Sequence, residues 1–244
     1  MHDSAKRIAL VTGANKGIGF EVTRRLAMAG MTVVLGARNA GLGEAAAIRL
    51  RAENLDVRFI ELDVVRRATI ESAAATILAD FGRLDVLVNN AGINDPADGQ
   101  PGVVELDTVR HVMETNFFGT LAVTQAMLPL LRKGPAGRIV NVSSGLGSLT
   151  WNADPNWVYA PVKLLGYNTS KAAMNMLTVQ LAYELRDTAI KVNSANPGYT
   201  ATDLNGHRGH QTVEQGAAET VRLALLSPGG PTGGFFETTG TDPW

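Results

Sequence analysis

Tyr167 and Lys171 lie four residues apart in the run Tyr-Asn-Thr-Ser-Lys. On a helix, this spacing puts both side chains on the same face. A tyrosine ordinarily ionises near pH ~10, and a neighbouring ammonium group stabilises the phenolate and lowers its pKa. The pair could therefore form a proton donor for a carbonyl oxygen. Because this spacing also arises by chance in many helices, the hypothesis depends on the rest of the chain.

A second tyrosine and lysine, Tyr159 and Lys163, have the same spacing. Pro161 lies between them, and an interior proline disrupts the helix that would align the two side chains. Tyr167, by contrast, is followed by apolar residues at helical spacing as far as Leu181. The sequence therefore favours Tyr167 as the proton donor, and predicts that Tyr159 lines the pocket instead.

A glycine-rich segment follows the first apolar run of the chain. The run 7–11 is typical of a buried parallel strand, and Gly13, Gly17 and Gly19 follow in the pattern G-x-x-x-G-x-G. Apolar residues then recur at helical spacing up to Gly30. A strand, a glycine turn and a helix N-terminus together can bind a pyrophosphate. An ordinary tight turn is the alternative, but three glycines leave the backbone unusually open to a ligand.

Four further motifs follow in order along the chain. They are Asn89-Asn90-Ala91-Gly92 after the run 84–88, Asn116 in Thr-Asn-Phe-Phe-Gly, Ser143-Ser144 after the run 137–142, and Pro197-Gly198 after the run 190–195. With the glycine turn and the Tyr-Lys pair, this ordered set resembles the short-chain dehydrogenase/reductase family from about residue 6 to the C-terminus. The residues 148–166 and the C-terminal stretch resemble the carbonyl reductase-like branch of that family.

The resemblance implies an NADPH-dependent enzyme that reduces a ketone or aldehyde carbonyl to an alcohol, in a reaction that could run in either direction. It assigns the stabilisation of the carbonyl oxygen to Ser144, with the adjacent Ser143 supporting the strand end. Tyr167 would give that oxygen a proton, and Lys171 would lower the Tyr167 pKa and hold the nicotinamide ribose. Asn116 would complete a proton relay through a water; a helix kink without a catalytic role is the alternative.

The resemblance also implies a set of cofactor-binding residues. They are Gly13, Asn15, Lys16, Gly17, Ile18, Gly19, Arg38, Asp63, Val64, Asn90, Ala91, Gly92, Tyr167, Lys171, Pro197, Gly198, Thr200 and Thr202. Some alternatives stay open. Asp63 would contact adenine or cap the helix that starts near Arg66, and Asn90 would contact the cofactor or tie strands together. Thr202 matches the family's carboxamide-contacting position better than Thr200.

The end of the second predicted strand bears on the choice of cofactor. NAD is usually recognised there by a carboxylate, whereas the 2′-phosphate of NADP needs cations. The strand runs into Gly-Ala-Arg38-Asn without an acid, and Lys16 lies inside the glycine turn. Both could be ordinary solvated cations. Their positions favour NADP(H), with Arg38 binding the phosphate bidentately and Lys16 supplying a point charge.

Strand-like and helical runs alternate through all 244 residues, 45% of which are hydrophobic. This predicts an α/β fold, a single NAD(P)-binding Rossmann-like domain over 1–244 with a doubly wound parallel sheet of about seven strands flanked by helices. Strands are expected near 7–12, 32–36, 57–61, 84–88, 137–142, 190–195 and 234–237.

Two segments stand out. Residues 148–166, here called the aromatic insertion, contain two tryptophans and would wall the substrate site or pack on the surface. Residues 200–215, here called the lid, would cover the substrate. The lid holds His207 and His210, but two histidines make no metal site. No metal is expected.

Composition excludes several classes of protein. With 22 Lys plus Arg against 23 Asp plus Glu, no basic field favours nucleic acid or an anionic membrane. No stretch approaches the ~18 apolar residues of a membrane span, the start lacks a signal-peptide core, and there is no cysteine. We expect a cytoplasmic protein whose partner is a small carbonyl or alcohol substrate. The C-terminus lacks the acidic-Gly-Gly ending of tetrameric relatives, so a monomer is preferred, with a homo-oligomer left open.

Two other functions use the same scaffold. A non-catalytic NADP(H)-binding regulatory protein usually lacks the catalytic tyrosine or lysine, whereas this chain keeps all four residues. An isomerase or lyase with a bound nicotinamide generally has a larger C-terminal domain, and little chain follows Pro197.

Overall fold

The structure, a computed structural model, describes residues 6–244. Residues 1–5, which the sequence analysis places in the same domain and reads as lacking a signal-peptide core, lie outside the described residues. Eight strands of the described chain form one sheet. They are β1 Ile8–Thr12, β2 Thr32–Ala37, β3 Val57–Glu61, β4 Val86–Asn89, β5 Arg138–Val142, β6 Lys191–Ala195, β7 Phe235–Glu237 and β8 Gly240–Thr241.

Eight α-helices of the described chain connect these strands. They are α1 Gly17–Met28, α2 Ala40–Ala52, α3 Arg67–Phe81, α4 Leu106–Met113, α5 Thr120–Leu131, α6 Leu149–Ala153, α7 Leu165–Glu184 and α8 Val213–Ala224. A π-helical segment, Glu114–Gly119, joins α4 to α5 without a break. Short 3-10 turns lie at Gly145–Gly147 and Asp203–Asn205.

The strand order across the sheet is β3-β2-β1-β4-β5-β6-β7-β8. Strands β1 to β7 pair in parallel, and β8 pairs with β7 in the antiparallel direction. After β3 the chain returns to the middle of the sheet, so that β4 lies beside β1. The loops leaving β1 and β4 therefore diverge, and a crevice forms at the carboxyl ends of these strands, where open α/β sheets bind their ligands.

Alternation along the strands divides the core between the two faces of the sheet. On one face, Val11 and Leu35 pack with Leu26 of α1 and Leu223 of α8. On the other face, Leu10 and Leu87 pack with helices α3, α5 and α7. Both faces are covered by helices, so the central strands β1, β2 and β4 read as nearly continuous apolar runs and not as alternating ones. The apolar runs predicted this arrangement correctly.

The predicted doubly wound α/β fold is confirmed, and each of the seven expected strands is present with ends within two residues of the prediction. The sequence missed β8. This strand has two exposed residues, Gly240 and Thr241, and its pairing with β7 gives no apolar pattern to read.

Candidate active site

Tyr167 lies in the first turn of α7 and is almost fully buried. The backbone amides of Gly166 and Tyr167 donate hydrogen bonds to the two oxygens of the Asp98 carboxylate, with N···O distances of 2.9 and 2.8 Å. These are two of the amides that a helix N-terminus leaves without intrahelical partners. Asp98 comes from the loop after β4, so this loop fixes the helix end that carries Tyr167. No local sequence pattern points to Asp98, because it lies 69 residues from its partner.

The side chain of Tyr167 is hydrogen-bonded to that of Ser144, which lies two residues after the end of β5. Burial raises the pKa of Tyr167 to about 12, although the hydrogen bond from Ser144 lowers it. The sequence predicts the opposite direction, with the ammonium of Lys171 lowering the pKa of Tyr167. That expectation is wrong for this structure because Lys171 Nζ donates to the carbonyl oxygen of Val142 at 2.8 Å and lies 5.6 Å from the centre of the Tyr167 ring.

Lys171 is buried one turn further along α7, on the same face as Tyr167. Burial lowers the pKa of Lys171 to about 8, since the charged ammonium loses its hydration. Tyr167 and Lys171, the two residues preferred from the sequence, are therefore both buried, whereas Ser144 is half-buried. The hydroxyl of Ser143 lies elsewhere: it is buried and donates to the carbonyl oxygen of Lys171 at 3.4 Å.

Asn116 lies in the π-helical segment between α4 and α5 and is fully buried. Its side-chain amide pairs with both backbone groups of Ile93, accepting from the nitrogen at 2.8 Å and donating to the oxygen at 2.9 Å. It also donates to Ser170 Oγ at 3.0 Å, and Ser170 donates in turn to the Tyr167 carbonyl oxygen at 2.7 Å. The expected helix distortion at Asn116 is present, and it joins the loop after β4 to the tyrosine helix.

The glycine turn between β1 and α1 is shaped to receive a ligand. Gly13 has φ +62°, and a Cβ added there would lie 2.8 Å from the Cα of Ala91. Gly17 has φ +57°, and a Cβ added there would meet only the Thr202 methyl, at 3.7 Å. No described side chain caps the start of α1, and its first turn has no acidic residue. Its free amides and positive helix end therefore fit a pyrophosphate.

The loop after β4 lies between the glycine turn and the tyrosine. The Asn90 amide donates to the carbonyl oxygens of Thr12 and Gly13 at 2.9 and 3.1 Å. A Cβ added to Gly92 would lie 3.4 Å from Asn116 Oδ1 and 3.6 Å from Lys171 Nζ. The structure therefore brings the glycine turn, the residues 90–92, Asn116 and Lys171 together at one edge of the sheet.

The loop after β3 carries Asp63 and Val64. Asp63 Oδ1 accepts from the amide of Val65 at 3.2 Å, and α3 begins after Arg66 without a capping side chain from the described residues. The alternative in which Asp63 caps this helix is therefore wrong. Val64 is buried against the π-helical segment, where a Cβ added to Gly119 would lie 2.8 Å from the Val64 side chain.

The two cations expected at the adenosine ribose have different environments. Arg38 is exposed at the tip of β2 and forms no ion pair with another described residue. The ammonium of Lys16 forms an ion pair with Asp203 of the lid. Asp203 also contacts the ring of His207 at 2.7 Å. The Arg38 guanidinium is therefore available to bind a phosphate. Lys16, by contrast, links the glycine turn to the lid through Asp203.

The turn after β6 distinguishes the two candidate threonines. The Thr200 side chain is buried, and its hydroxyl donates to the carbonyl oxygen of Pro197 at 2.9 Å. The Thr202 side chain lies near the glycine turn, since a Cβ added to Gly17 would lie 3.7 Å from its methyl group. Which of the two contacts the carboxamide stays a prediction. Gly198 has φ +66°, and so takes the left-handed conformation that this turn requires.

The aromatic insertion and the lid are joined by a row of rings. The ring of Trp151 stacks on Trp157 with centroids 5.4 Å apart, and Trp157 meets Tyr159 edge-on at 5.5 Å. Tyr159 lies 5.9 Å from Tyr199, and Tyr199 lies 5.9 Å from His210. Tyr159 is in a turn and not in a helix, as its neighbouring proline predicted.

Two kinds of feature are absent from residues 6–244. None of the helices there has the length and apolar character needed to cross a membrane. Nor do histidines and carboxylates gather there in groups of three or more that could hold a metal ion.

Comparison with known proteins agrees with this geometry. A family model described as short chain dehydrogenase matches residues 7–212. This chain belongs to the short-chain dehydrogenase/reductase family. Among curated members, it is 34% identical to mouse (Mus musculus) carbonyl reductase (NADPH) 1, in an alignment that covers 99% of each chain. It is 32% identical to (-)-isopiperitenone reductase of Mentha piperita, with 95% of this chain and 96% of the relative covered.

Solved structures of this family are similar over nearly the whole chain. The NADPH-bound carbonyl reductase from chicken fatty liver matches with a TM-score of 0.86 at 28% identity, covering 98% of this chain and 99% of the other. Salutaridine reductase from Papaver somniferum matches with a TM-score of 0.82 at 31% identity, covering 96% and 100%. The resemblance to the carbonyl reductase-like members of the family is confirmed.

Proposed function

We propose that this chain is an NADPH-dependent oxidoreductase that reduces a ketone or aldehyde carbonyl to an alcohol, using Ser144, Tyr167, Lys171 and Asn116. The observation that carries the proposal is the hydrogen bond between the buried Tyr167 and the half-buried Ser144, one helical turn from the buried Lys171. Family membership makes the chain an oxidoreductase, and relatives named as NADPH carbonyl reductases support NADP(H) as its cofactor.

The residues at the carboxyl edge of the sheet fit this cofactor. The amides at the start of α1 would hold the pyrophosphate, and Gly13, Asn15, Gly17, Ile18 and Gly19 form that turn. Arg38, which has no ion-pair partner among the described residues, would hold the 2′-phosphate. When bound, NADPH supplies the hydride.

Further contacts complete the proposed cofactor site. The lid and the loop after β6 contribute Thr202, with Pro197, Gly198 and Thr200 shaping the turn. The remaining residues lie along the crevice: Asp63, Val64, Asn90, Ala91, Gly92 and Lys16. Lys171 would reach the nicotinamide ribose from the same edge.

Tyr167 is the proposed general acid. With its pKa raised to about 12, the phenol keeps its proton at neutral pH and has one to give. The Ser144 hydroxyl can turn from Tyr167 to donate to the substrate oxygen and stabilise the charge that develops there. The hydroxyl groups of Ser144 and Tyr167 are already hydrogen-bonded to each other. A carbonyl oxygen placed between them would therefore accept from both.

Lys171 and Asn116 are proposed to return a proton to Tyr167. Burial holds the pKa of the Lys171 ammonium at about 8, close enough to neutrality for it to release and regain a proton. Asn116 Oδ1 and Lys171 Nζ face the same small space at Gly92. A water between them would link Asn116 to Lys171.

The aromatic insertion and the lid are proposed to wall the substrate pocket. The row of rings from Trp151 to His210 runs from the Ser144 turn to the lid. A Cβ added to Gly145 would lie 2.9 Å from the Trp151 ring, so the insertion begins directly beside the proposed catalytic serine. Flat apolar faces at this position favour an apolar carbonyl compound.

The proposal is tested by following NADPH oxidation over a panel of aldehydes and ketones. We expect turnover with several apolar carbonyl compounds, with alcohol formed in equal amount to NADPH consumed. NADPH binding without turnover across the panel would indicate a regulatory binding protein. Product formation without net NADPH consumption would indicate an isomerase or lyase.

A further inference from the structure

Asn196 lies between the end of β6 and the Pro197-Gly198 turn, and only 6% of it is exposed. Its side-chain oxygen Oδ1 accepts hydrogen bonds from the backbone amides of Gly145 and Gly198, each at 3.1 Å. Gly145 directly follows Ser144, whereas Gly198 belongs to the proposed cofactor site. One oxygen atom therefore joins the turn that carries the proposed catalytic serine to the turn beside the cofactor.

The orientation of the Asn196 amide is fixed from its other side. Nδ2 donates to Asp242 at 2.8 Å and, more weakly, to Glu237 at 3.4 Å. If the amide rotated by half a turn, its NH₂ group would face two N–H donors and its oxygen would face two carboxylates. The observed orientation satisfies every group. The C-terminal hairpin, β7 and β8 with Asp242, therefore determines which way Asn196 points.

Asp242 is a buried carboxylate, and its burial disfavours the charged form. Burial raises its pKa to about 7; the hydrogen bond from Asn196 lowers it, and the charges of Glu237 and Glu219 raise it further. A buried carboxylate destabilises a protein unless it has a partner, and Asn196 donates the side-chain hydrogen bond to Asp242. The amide of Asp242 is held in turn by the carbonyl oxygen of Phe235 at 2.9 Å. The hairpin thus holds the Asp242 carboxylate where it accepts from Asn196 Nδ2 and orients the Asn196 amide.

The serine turn has little room to adjust to a change at Asn196. A Cβ added to Gly145 would lie 2.9 Å from the Trp151 ring and 3.4 Å from Asn196 Nδ2. The next amide, that of Leu146, donates to Ser144 Oγ at 3.2 Å. A shift of the Gly145 amide would therefore also move the hydroxyl of Ser144.

We infer that Asn196 is a positioning residue, which holds the Ser144 turn and the Pro197-Gly198 turn at a fixed separation and is itself held by Asp242. This inference rests on the proposed carbonyl reductase function. Neither residue touches the substrate; Asn196 acts through Ser144 and the cofactor turn. Small displacements of a reacting group can cost one to two orders of magnitude in rate, so the effect falls on turnover.

The first test compares steady-state kinetics of Asn196→Ala, Asp242→Ala and Asp242→Asn. Both alanine variants should lower kcat by about 10- to 100-fold while the KM for the carbonyl compound stays within about threefold. Asp242→Asn should restore turnover to near the wild-type value, because the oxygen of an asparagine can still accept from Asn196 Nδ2. The double alanine variant should be no slower than either single variant, since both act through one contact.

Asn193→Ala is the matched control. Asn193 lies three residues earlier in β6, is equally buried, and bridges two backbone groups, accepting from the Gly234 amide at 3.1 Å and donating to the Pro231 oxygen at 2.9 Å. Its bonds hold the loop that precedes β7, and they involve neither the Ser144 turn nor Asp242. Asn193→Ala should lower Tm and leave kcat near wild type.

Amide hydrogen exchange gives a readout that needs no turnover. The Gly145 amide should exchange slowly in the wild type and in Asp242→Asn, and clearly faster in Asn196→Ala and Asp242→Ala. If wild type consumes no NADPH over the carbonyl panel, the proposed function fails, and the exchange data still decide the positioning role.

The inference is overturned if a folded Asn196→Ala keeps kcat within about twofold of wild type with unchanged exchange at Gly145. It is also overturned if Asn193→Ala loses as much kcat as Asn196→Ala, because the loss would then follow stability alone. If Asn196→Ala does not fold, the two Asp242 variants decide: equal kcat in both overturns the inference, and loss in alanine with rescue in asparagine supports it.

Discussion

The backbone amide of Tyr167 donates a hydrogen bond to the carboxylate of Asp98 at 2.8 Å, across 69 residues of sequence. The same carboxylate accepts from Gly166, where an added Cβ would lie 3.2 Å from it. The first turn of α7 is thus held by a negatively charged group that suits the positive end of a helix. Tyr167 keeps its position because a loop from the centre of the sheet caps its helix.

Asp98→Ala should therefore reduce both stability and turnover. Loss of a helix-capping side chain costs about 1–2 kcal/mol, and here the two freed amides are buried. Urea denaturation should show this loss in the free energy of unfolding, and kcat should fall several-fold because the start of the tyrosine helix is no longer fixed. Asp98→Asn keeps an acceptor and should lie between alanine and wild type. An alanine variant as stable and active as wild type would contradict the capping role.

Arg38→Asp should change the cofactor preference. The substitution replaces an exposed guanidinium at the tip of β2 with the carboxylate that suits a ribose 2′-hydroxyl. The dissociation constant for NADPH should rise at least about tenfold, while that for NADH stays equal or falls. Nicotinamide fluorescence titration measures both.

Arg132→Asp provides the control for that charge change, since Arg132 lies exposed at the far end of α5 and pairs with Glu184 at 3.2 Å. It should leave both dissociation constants near wild type. Equal weakening of NADPH and NADH by Arg38→Asp would show that Arg38 does not discriminate between them.

Asp242 should make stability depend on pH. Its pKa in the folded protein is about 7, against an ordinary value of 3.8, so between these values the folded state binds more protons than the unfolded state. The free energy of unfolding therefore falls as pH rises through this window and levels off above about pH 7. Asp242→Asn should be more stable than wild type at pH 8, by on the order of 2 kcal/mol, with the difference vanishing near pH 4.

Urea denaturation of the two proteins at several pH values checks this prediction. Only the difference between the variant and the wild type is used, because other carboxylates titrate in both. Parallel curves from pH 4 to pH 8 would mean that the Asp242 carboxyl does not carry the buried proton.

Local pattern was enough to predict the fold. The apolar runs that form β1, β2 and β4 are strands buried on both faces, and their composition alone identifies them. The choice between Tyr159 and Tyr167 was also local, because a single proline decides where a helix can form. The two-residue strand β8 has no such signal.

The site was only partly predictable, because local patterns do not encode contacts between residues far apart in the sequence. Motif order brought Ser144, Tyr167 and Lys171 together, but the partners Asp98 and Asn196 act across long sequence separations that no local pattern encodes. The direction of the Tyr167 pKa was also missed. It depends on burial and on where the Lys171 ammonium points, and both are properties of packing.

The proposed carbonyl reduction depends most on Tyr167 as the proton donor, and a single substitution tests this role directly. Tyr167→Phe removes one oxygen atom and should lower kcat for carbonyl reduction at least about 100-fold, with the NADPH dissociation constant within about twofold of wild type. Tyr183→Phe, the same change at an exposed position of the same helix, should have no effect. If Tyr167→Phe kept a tenth or more of wild-type kcat, another group would supply the proton and the account would be contradicted.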